Sequence, residues 1–254
     1  KDRAMTVLDD IAEKNASAVL SGAFDNVYCK PYDDGKTYLA PLFFEQEGLI
    51  YNKKLLSENG WSLPTTWDEF VALAEKCDEK NIAVFTYAGR EPEEFVNMFA
   101  AAAVPAVGTE QMNKLLSCDK EAWTDNEQAK AFAEKLDAIK KLVVSGSSTK
   151  THDDVTESFK KGEALFISGS TADLAKLLED ENADYGFAAY PSLSGERVNV
   201  ISVSEMYIPI EAKNVDLGKK FMSFLYSDAA AAVAAETVKK LPPVASAASL
   251  AAQY

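Results

Sequence analysis

Asp34-Gly-Lys-Thr-Tyr-Leu-Ala-Pro41, Glu45-Gln-Glu-Gly-Leu-Ile-Tyr-Asn-Lys53 and Leu63-Pro-Thr-Thr-Trp-Asp-Glu-Phe70 follow one another almost end to end. Tyr32-Asp-Asp-Gly35 is a turn signal, and the run after it, 36–42, reads as a strand ended by Pro41 and polar crowding. Gly48-Leu-Ile-Tyr-Asn52 reads as a second, buried strand. Between the two lies the polar triplet Glu45-Gln-Glu47, at a predicted crossing of the chain into a new lobe. Thr66-Trp-Asp-Glu69 has the spacing of a capping box, in which hydroxyl and carboxylate each satisfy the other residue's amide. Phe70, Leu73, Ala74 and Cys77 then recur at helical spacing, so a helix is expected over 67–80.

Outward from this stretch, strands and helices alternate. Met5, Leu8 and Ile11 predict a short helix over 4–13, and 82–87 is a short strand. A helix over 93–103 would carry Phe95, Met98, Phe99 and Ala102 on one side. Asp125 is placed to cap a long helix with the stripe Phe132, Ala133, Leu136, Ile139 and Val143, ended by a Ser/Gly/Thr linker at 145–151. Phe159 lies on a short helix closed by Gly162. Next come a strand at 164–168, a loop Gly169-Ser-Thr171, a helix over 171–180 and strands at 185–189 and 201–209. Leu217, Phe221, Phe224 and Leu225 mark a final helix. Such alternation favours an α/β layered sheet.

Composition excludes several functions. The 254 residues suffice for one large domain or two modest ones, with ordinary hydrophobic (47%) and charged (26%) fractions. A formal net charge of −14 argues against nucleic acid and anionic membranes, which need surplus Lys and Arg. No apolar run reaches the roughly 18–20 residues that span a bilayer. Cys29, Cys77 and Cys118 are odd in number and far apart, so neither a disulfide framework nor a metal or cofactor site is expected. Catalysis has little to work with: the single histidine, His152, sits among Asp153 and Asp154 in a polar linker and reads as solvated, and no Ser-His-Asp set or phosphate loop appears.

In order and spacing the opening stretch resembles the middle of the sugar-type extracellular solute-binding proteins of ABC importers (family 1, maltose-binding-protein-like). Phe159-Lys-Lys-Gly-Glu-Ala-Leu-Phe-Ile-Ser-Gly-Ser170, Tyr185-Gly-Phe-Ala-Ala-Tyr-Pro191, the helix pair beginning Lys219-Lys-Phe-Met and Lys240-Leu-Pro-Pro-Val244 extend the resemblance over roughly 7–244. It implies an α/β, type II periplasmic-binding-protein-like two-lobe architecture. The second lobe would span 47–202, and the first would comprise 1–46 and 203–254. The family's opening βαβ units and some closing helices have no counterpart, so a truncated chain with an incomplete first lobe is expected, with edges and apolar faces exposed. The implied function is capture of a mono- or oligosaccharide between the lobes and delivery to permease subunits. The implied protein is not an enzyme; it is monomeric, extracellular or periplasmic, and lipid-anchored when full length. A polyamine, a glycerol phosphate or a metal complex on the same fold, or a non-transport interaction domain, are the alternatives.

Sugar recognition needs planar polar groups for hydroxyls and aromatic faces for C–H surfaces. Glu45 and Gln46 fall at the family position from which a carboxylate bonds hydroxyls; the alternative is a salt-bridged or solvated hinge carboxylate. Glu91 matches the acidic position of the loop after the 82–87 strand, with Tyr87 or Phe95 as stacking face; the alternative is an exposed, acidic helix start. Where the family often places a stacking tryptophan stand Ser170 and Thr171, which either donate to ligand or cap the following helix. Glu205 lies on the returning crossing, facing the ligand in one of two pleat registers. Trp61, Trp67 and Trp123 are expected to pack in the core.

Overall fold

The computed structural model describes residues 4–26, 28–91, 93–117, 120–127, 130–131, 133–134, 137 and 143–247. The chain divides into two compact units: 46–200, and 1–45 together with 201–254.

Unit 46–200 is built on a mixed sheet. Strand β1 (Ala40–Asn52) is followed by α2 (Lys53–Glu58), α3 (Trp67–Asp78), β2 (Ala83–Thr86), α4 (Glu93–Val107), α5 (Thr109–Leu116) and α6 (Lys120–Thr124). Then come a 3-10 turn (Ser147–Thr149), α7 (His152–Lys160), β3 (Ala164–Ser170), α8 (Thr171–Leu177) and β4 (Tyr185–Ala188). The strand order is β2-β3-β1-β4, and β5 (Val200–Met206) also pairs with β1. β2 and β3 run parallel, with Phe85 opposite Phe166, while β1 is antiparallel to both β3 and β4. A buried parallel pair should read as a continuous apolar run, and every residue of β3 is buried.

The capping box expected at Thr66 forms: Glu69 N–H donates to Thr66 Oγ1, and Glu69 Oε2 accepts from Thr66 N–H. The apolar face of α3 brings Trp67 and Phe70 to 5.4 Å, and Phe70 to 5.8 Å from Phe166. All three rings are buried in the larger core with Leu49, Phe85, Leu165 and Tyr190. Cys77 packs beside them as a small hydrophobe, its thiol pushed by burial up to about 12 and so kept un-ionised. A second layer, Ile50, Ile167, Val155, Phe159 and Leu177, fills the space under α7 and α8.

Unit 1–45/201–254 holds α1 (Asp9–Asn15), β5, α9 (Val215–Leu225) and α10 (Asp228–Thr237). Leu8, Ile11, Phe24, Ile208, Met222, Tyr226 and Val244 form its core. Phe24 and Tyr226 meet edge-on at 5.9 Å, and Tyr226 Oη donates to the Pro41 carbonyl at 2.7 Å. Lys219 on α9 reaches Asp10 on α1 at 2.7 Å. The opposite face of α9 carries Leu217, Phe221 and Phe224, each more than half exposed.

Several expectations need correction. The two strands read at 36–42 and 48–52 are one 13-residue strand. Pro41 does not end it, because a proline near a strand's start forfeits little of the ladder, and Phe44 N–H resumes pairing with the Leu241 carbonyl. The first helix begins at Asp9, since Met5 is held extended by a bridge to Pro209. Gly169 and Ser170 are not loop: they continue β3 opposite Gly48 and Glu47. Gly48 tolerates no side chain there, because a Cβ would lie 2.4 Å from the Ala188 carbonyl oxygen. Gly162 closes α7 at φ +75° as expected, and α4 runs past its expected end to Val107, with Pro105 inside it. Most of the long helix after Asp125, with Phe132, Leu136 and Ile139, lies outside the described residues, as does Cys118; Val143 bridges Phe85.

Candidate functional site

The polar residues on β1 are held from two sides. Glu45 ends the first segment of its unit, and Oε1 accepts from Lys240 Nζ at 2.5 Å. The antiparallel bridge between Phe44 and Leu241 sets that pair, since neighbouring residues on paired strands are brought side by side. Gln46 begins the other unit, and its Nε2 donates to Asn199 Oδ1 at 3.0 Å. Adjacent residues at the chain's passage from one unit to the next are thus each fixed by a partner in their own unit. Neither Lys240 nor Asn199 was singled out by the sequence: they stand 195 and 153 residues away.

A second constellation lies in unit 46–200, beyond the carboxyl ends of the parallel strands β2 and β3. Ser170 is the N-cap of α8, with Asp173 N–H donating to Ser170 Oγ. Asp173 Oδ2 in return accepts from the Ser170 N–H at 2.9 Å and its hydroxyl at 2.8 Å. Asp173 Oδ1 lies 3.7 Å from both His152 Nε2 and Lys176 Nζ. Burial pushes the Asp173 carboxyl up, but the Ser170 hydrogen bonds and the His152 and Lys176 charges outweigh it and hold the group below the ordinary carboxylate range. Glu91 joins through its Oε1, which accepts from the His152 backbone N–H at 3.3 Å.

His152 is therefore not solvated in a linker. It is the first residue of α7, behind an N-cap Thr151 that forms a capping box with Asp154, and its side chain is only 28% exposed. The spacings Thr151-x-x-Asp154 and Ser170-x-x-Asp173 carry this in the sequence as two helix starts. Their common neighbourhood comes from the parallel sheet, which no local pattern announces.

Of the other expected residues, Tyr87 is half-buried and stacks on Phe85 at 5.9 Å. Phe95 lies on α4, its side chain outside what is described. Thr171 is exposed at the start of α8. Glu205 is half-buried on β5, its carboxyl raised by burial. Trp67 is in the core, and Trp61 packs against it. Trp123, expected in the core, is instead exposed (39%): it stacks on Phe99 at 5.4 Å and donates from Nε1 to the Leu115 carbonyl. Among the described residues no group of three or more His, Cys, Asp or Glu is placed to hold a metal ion, and no helix is long and apolar enough to cross a membrane.

The solved structures similar to this one include the bacterial solute receptor AcbH, which has an exclusive preference for β-D-galactopyranose. The match has TM-score 0.81 at 19% identity and covers 95% of this chain and 62% of that one. Maltose-bound MalE3 of T. maritima matches with TM-score 0.72 at 21% identity, covering 96% and 63%. These likenesses establish the fold as that of the type II periplasmic sugar-binding proteins. Among curated sequences, the multiple sugar-binding protein of Streptococcus mutans is 26% identical over 210 residues, 79% of this chain and 50% of that protein. The diacetylchitobiose-binding protein NgcE of Streptomyces coelicolor is 25% identical over 214 residues, covering 77% and 44%. The chain spans about half the length of these relatives. Residues 3–232, nearly the whole sequence, match the family described as bacterial extracellular solute-binding protein. The chain belongs to that family, whose members are substrate-binding proteins rather than enzymes.

Proposed function

We propose that this chain belongs to the substrate-binding component of an ABC importer, that its ligand is a mono- or oligosaccharide, and that units 1–45/201–254 and 46–200 are the receptor's two lobes. The observation that carries the reading is the pair Glu45 and Gln46; Glu45 makes the salt bridge that the alternative expects, and we assign it the ligand role in addition. A carboxylate and an amide stand next to each other at the chain's passage between units, each pre-oriented by its own partner. Fixed planar groups of this kind bond neighbouring hydroxyls at low entropic cost. Glu91, Tyr87, Phe95, Ser170, Thr171 and Glu205 are the further contacts we assign to the ligand. Ser170 does so alongside its capping role. Sugar-binding relatives and the extracellular family support the same direction. On this reading the full-length protein is a lipid-anchored monomer outside the cytoplasmic membrane that hands its sugar to permease subunits.

A thermal-shift panel of galactose, maltose, raffinose, diacetylchitobiose, spermidine and glycerol phosphate on the full-length protein tests the proposal. A sugar response is expected, and Glu45→Ala should weaken it by more than about tenfold, roughly 1.4 kcal/mol. Affinity unchanged by Glu45→Ala, or a response to spermidine alone, overturns it.

A further inference from the structure

The Glu45–Lys240 pair bears on which solute the site accepts. Glu45 would be the natural anchor for a cation, and a protein of net charge −14 draws cations from a distance. Yet its carboxylate already holds an ammonium at 2.5 Å, and the side chains are only 12% and 31% exposed. At that burial solvent and salt screen the pair less than they would a surface contact. A second ammonium approaching the same carboxylate would come within about 5 Å of Lys240 Nζ, where like charges repel strongly in a partly desolvated setting. An uncharged hydroxyl brings no charge for Lys240 to repel, so this opposition does not act on it.

The loop that carries Lys240 also has main-chain ties of its own. Lys239 takes the left-handed conformation (φ +57°) just beyond α10, turning the chain back toward β1. Phe44 N–H then ties that loop down through the Leu241 carbonyl at 3.1 Å. Its position is secured by main chain, which leaves the charge of Lys240 free for another role.

We infer that Lys240 is a specificity-determining residue: by neutralising Glu45 it selects an uncharged polyhydroxyl solute and turns away a cationic one. The inference rests on the carbohydrate reading. It is tested by calorimetric titration of the full-length protein with spermidine and with the panel sugar that gives the largest shift. Lys240→Gln should weaken the sugar by about fivefold or more and acquire a spermidine response that the natural protein lacks. Lys240→Arg keeps the charge and should bind the sugar and exclude spermidine. The double variant E45Q/K240Q removes both charges and should exclude spermidine again, an outcome that simple loosening of the loop would not produce. Lys240→Gln that excludes spermidine and binds the sugar within about twofold of the natural protein overturns the inference and leaves the carbohydrate reading standing. Should Lys240→Gln not fold, spermidine binding by Lys240→Arg overturns it. A natural protein that responds to spermidine and to no sugar overturns both.

Discussion

The two units are stabilised in different ways. In 46–200, three helices, α3, α7 and α8, each begin with a capping box, and a continuous aromatic core lies beneath the sheet. In the other unit, α1 and α9 begin without a side-chain cap, Ser227 caps α10 without a capping box, and α9 leaves Leu217, Phe221 and Phe224 exposed. The first unit relies on short-range signals repeated along one uninterrupted segment. The second relies on contacts between segments more than 150 residues apart, such as Tyr226 to Pro41 and Lys219 to Asp10. Local encoding makes helix starts robust one by one, whereas long-range encoding makes each contact conditional on the rest.

The sharpest test of this contrast is Phe166→Ala, which empties the centre of the 46–200 core. A loss of about 3–5 kcal/mol is expected, and urea unfolding should show it in the transition reported by Trp67 fluorescence. A loss below about 1 kcal/mol would mean that the aromatic cluster is not the seat of stability claimed for it.

Ser170→Ala removes one cap and should cost about 1 kcal/mol, again in the 46–200 transition, with far-ultraviolet circular dichroism recording the fraying of α8. If Ser170 also contacts ligand, sugar affinity falls beyond what the stability change explains.

Acid gives the smallest and most discriminating effect. The carboxylates of Glu69, Asp154 and Asp173 all titrate below their ordinary values: hydrogen bonds from Thr65, Thr151 and Ser170 hold them there, for Asp173 against the opposing pull of burial. A carboxyl whose folded value is depressed lends stability above its unfolded value, about 4, and that stability drains away as pH falls through the folded value. Glu205 in the other unit is shifted the opposite way by burial, so protonation favours its folded state. Melting followed from pH 6 to pH 2.5 should therefore show the 46–200 transition falling first; a common decline of both transitions would erase the distinction.

The same contrast explains what could be read in advance. Thr66-x-x-Glu69 and the Phe159 to Gly162 helix end are contiguous signals, and both form as expected. The continuity of β1 was hidden, because Glu45-Gln-Glu47 looks like a crossing when its partners are invisible. Glu45 and Gln46 are tolerated in a strand because Lys240 and Asn199 meet them. Ser170 looked like loop for the complementary reason: a residue that caps a helix can also finish the preceding strand, opposite Glu47. His152 looked solvated because the parallel pairing of β2 with β3, which gathers Glu91, His152 and Asp173, is a property of the sheet.

Because unit 46–200 is threaded into the middle of the other, synthesis on the ribosome has an imposed timetable. The inserted segment emerges whole and can close its core while residues 201–254 are still unmade. Leu8, Ile11 and Phe24 gain Ile208, Met222 and Tyr226 as core neighbours only once that later segment has been made. Apolar surface that must be matched across so long a separation in sequence is most open to wrong partners in that interval.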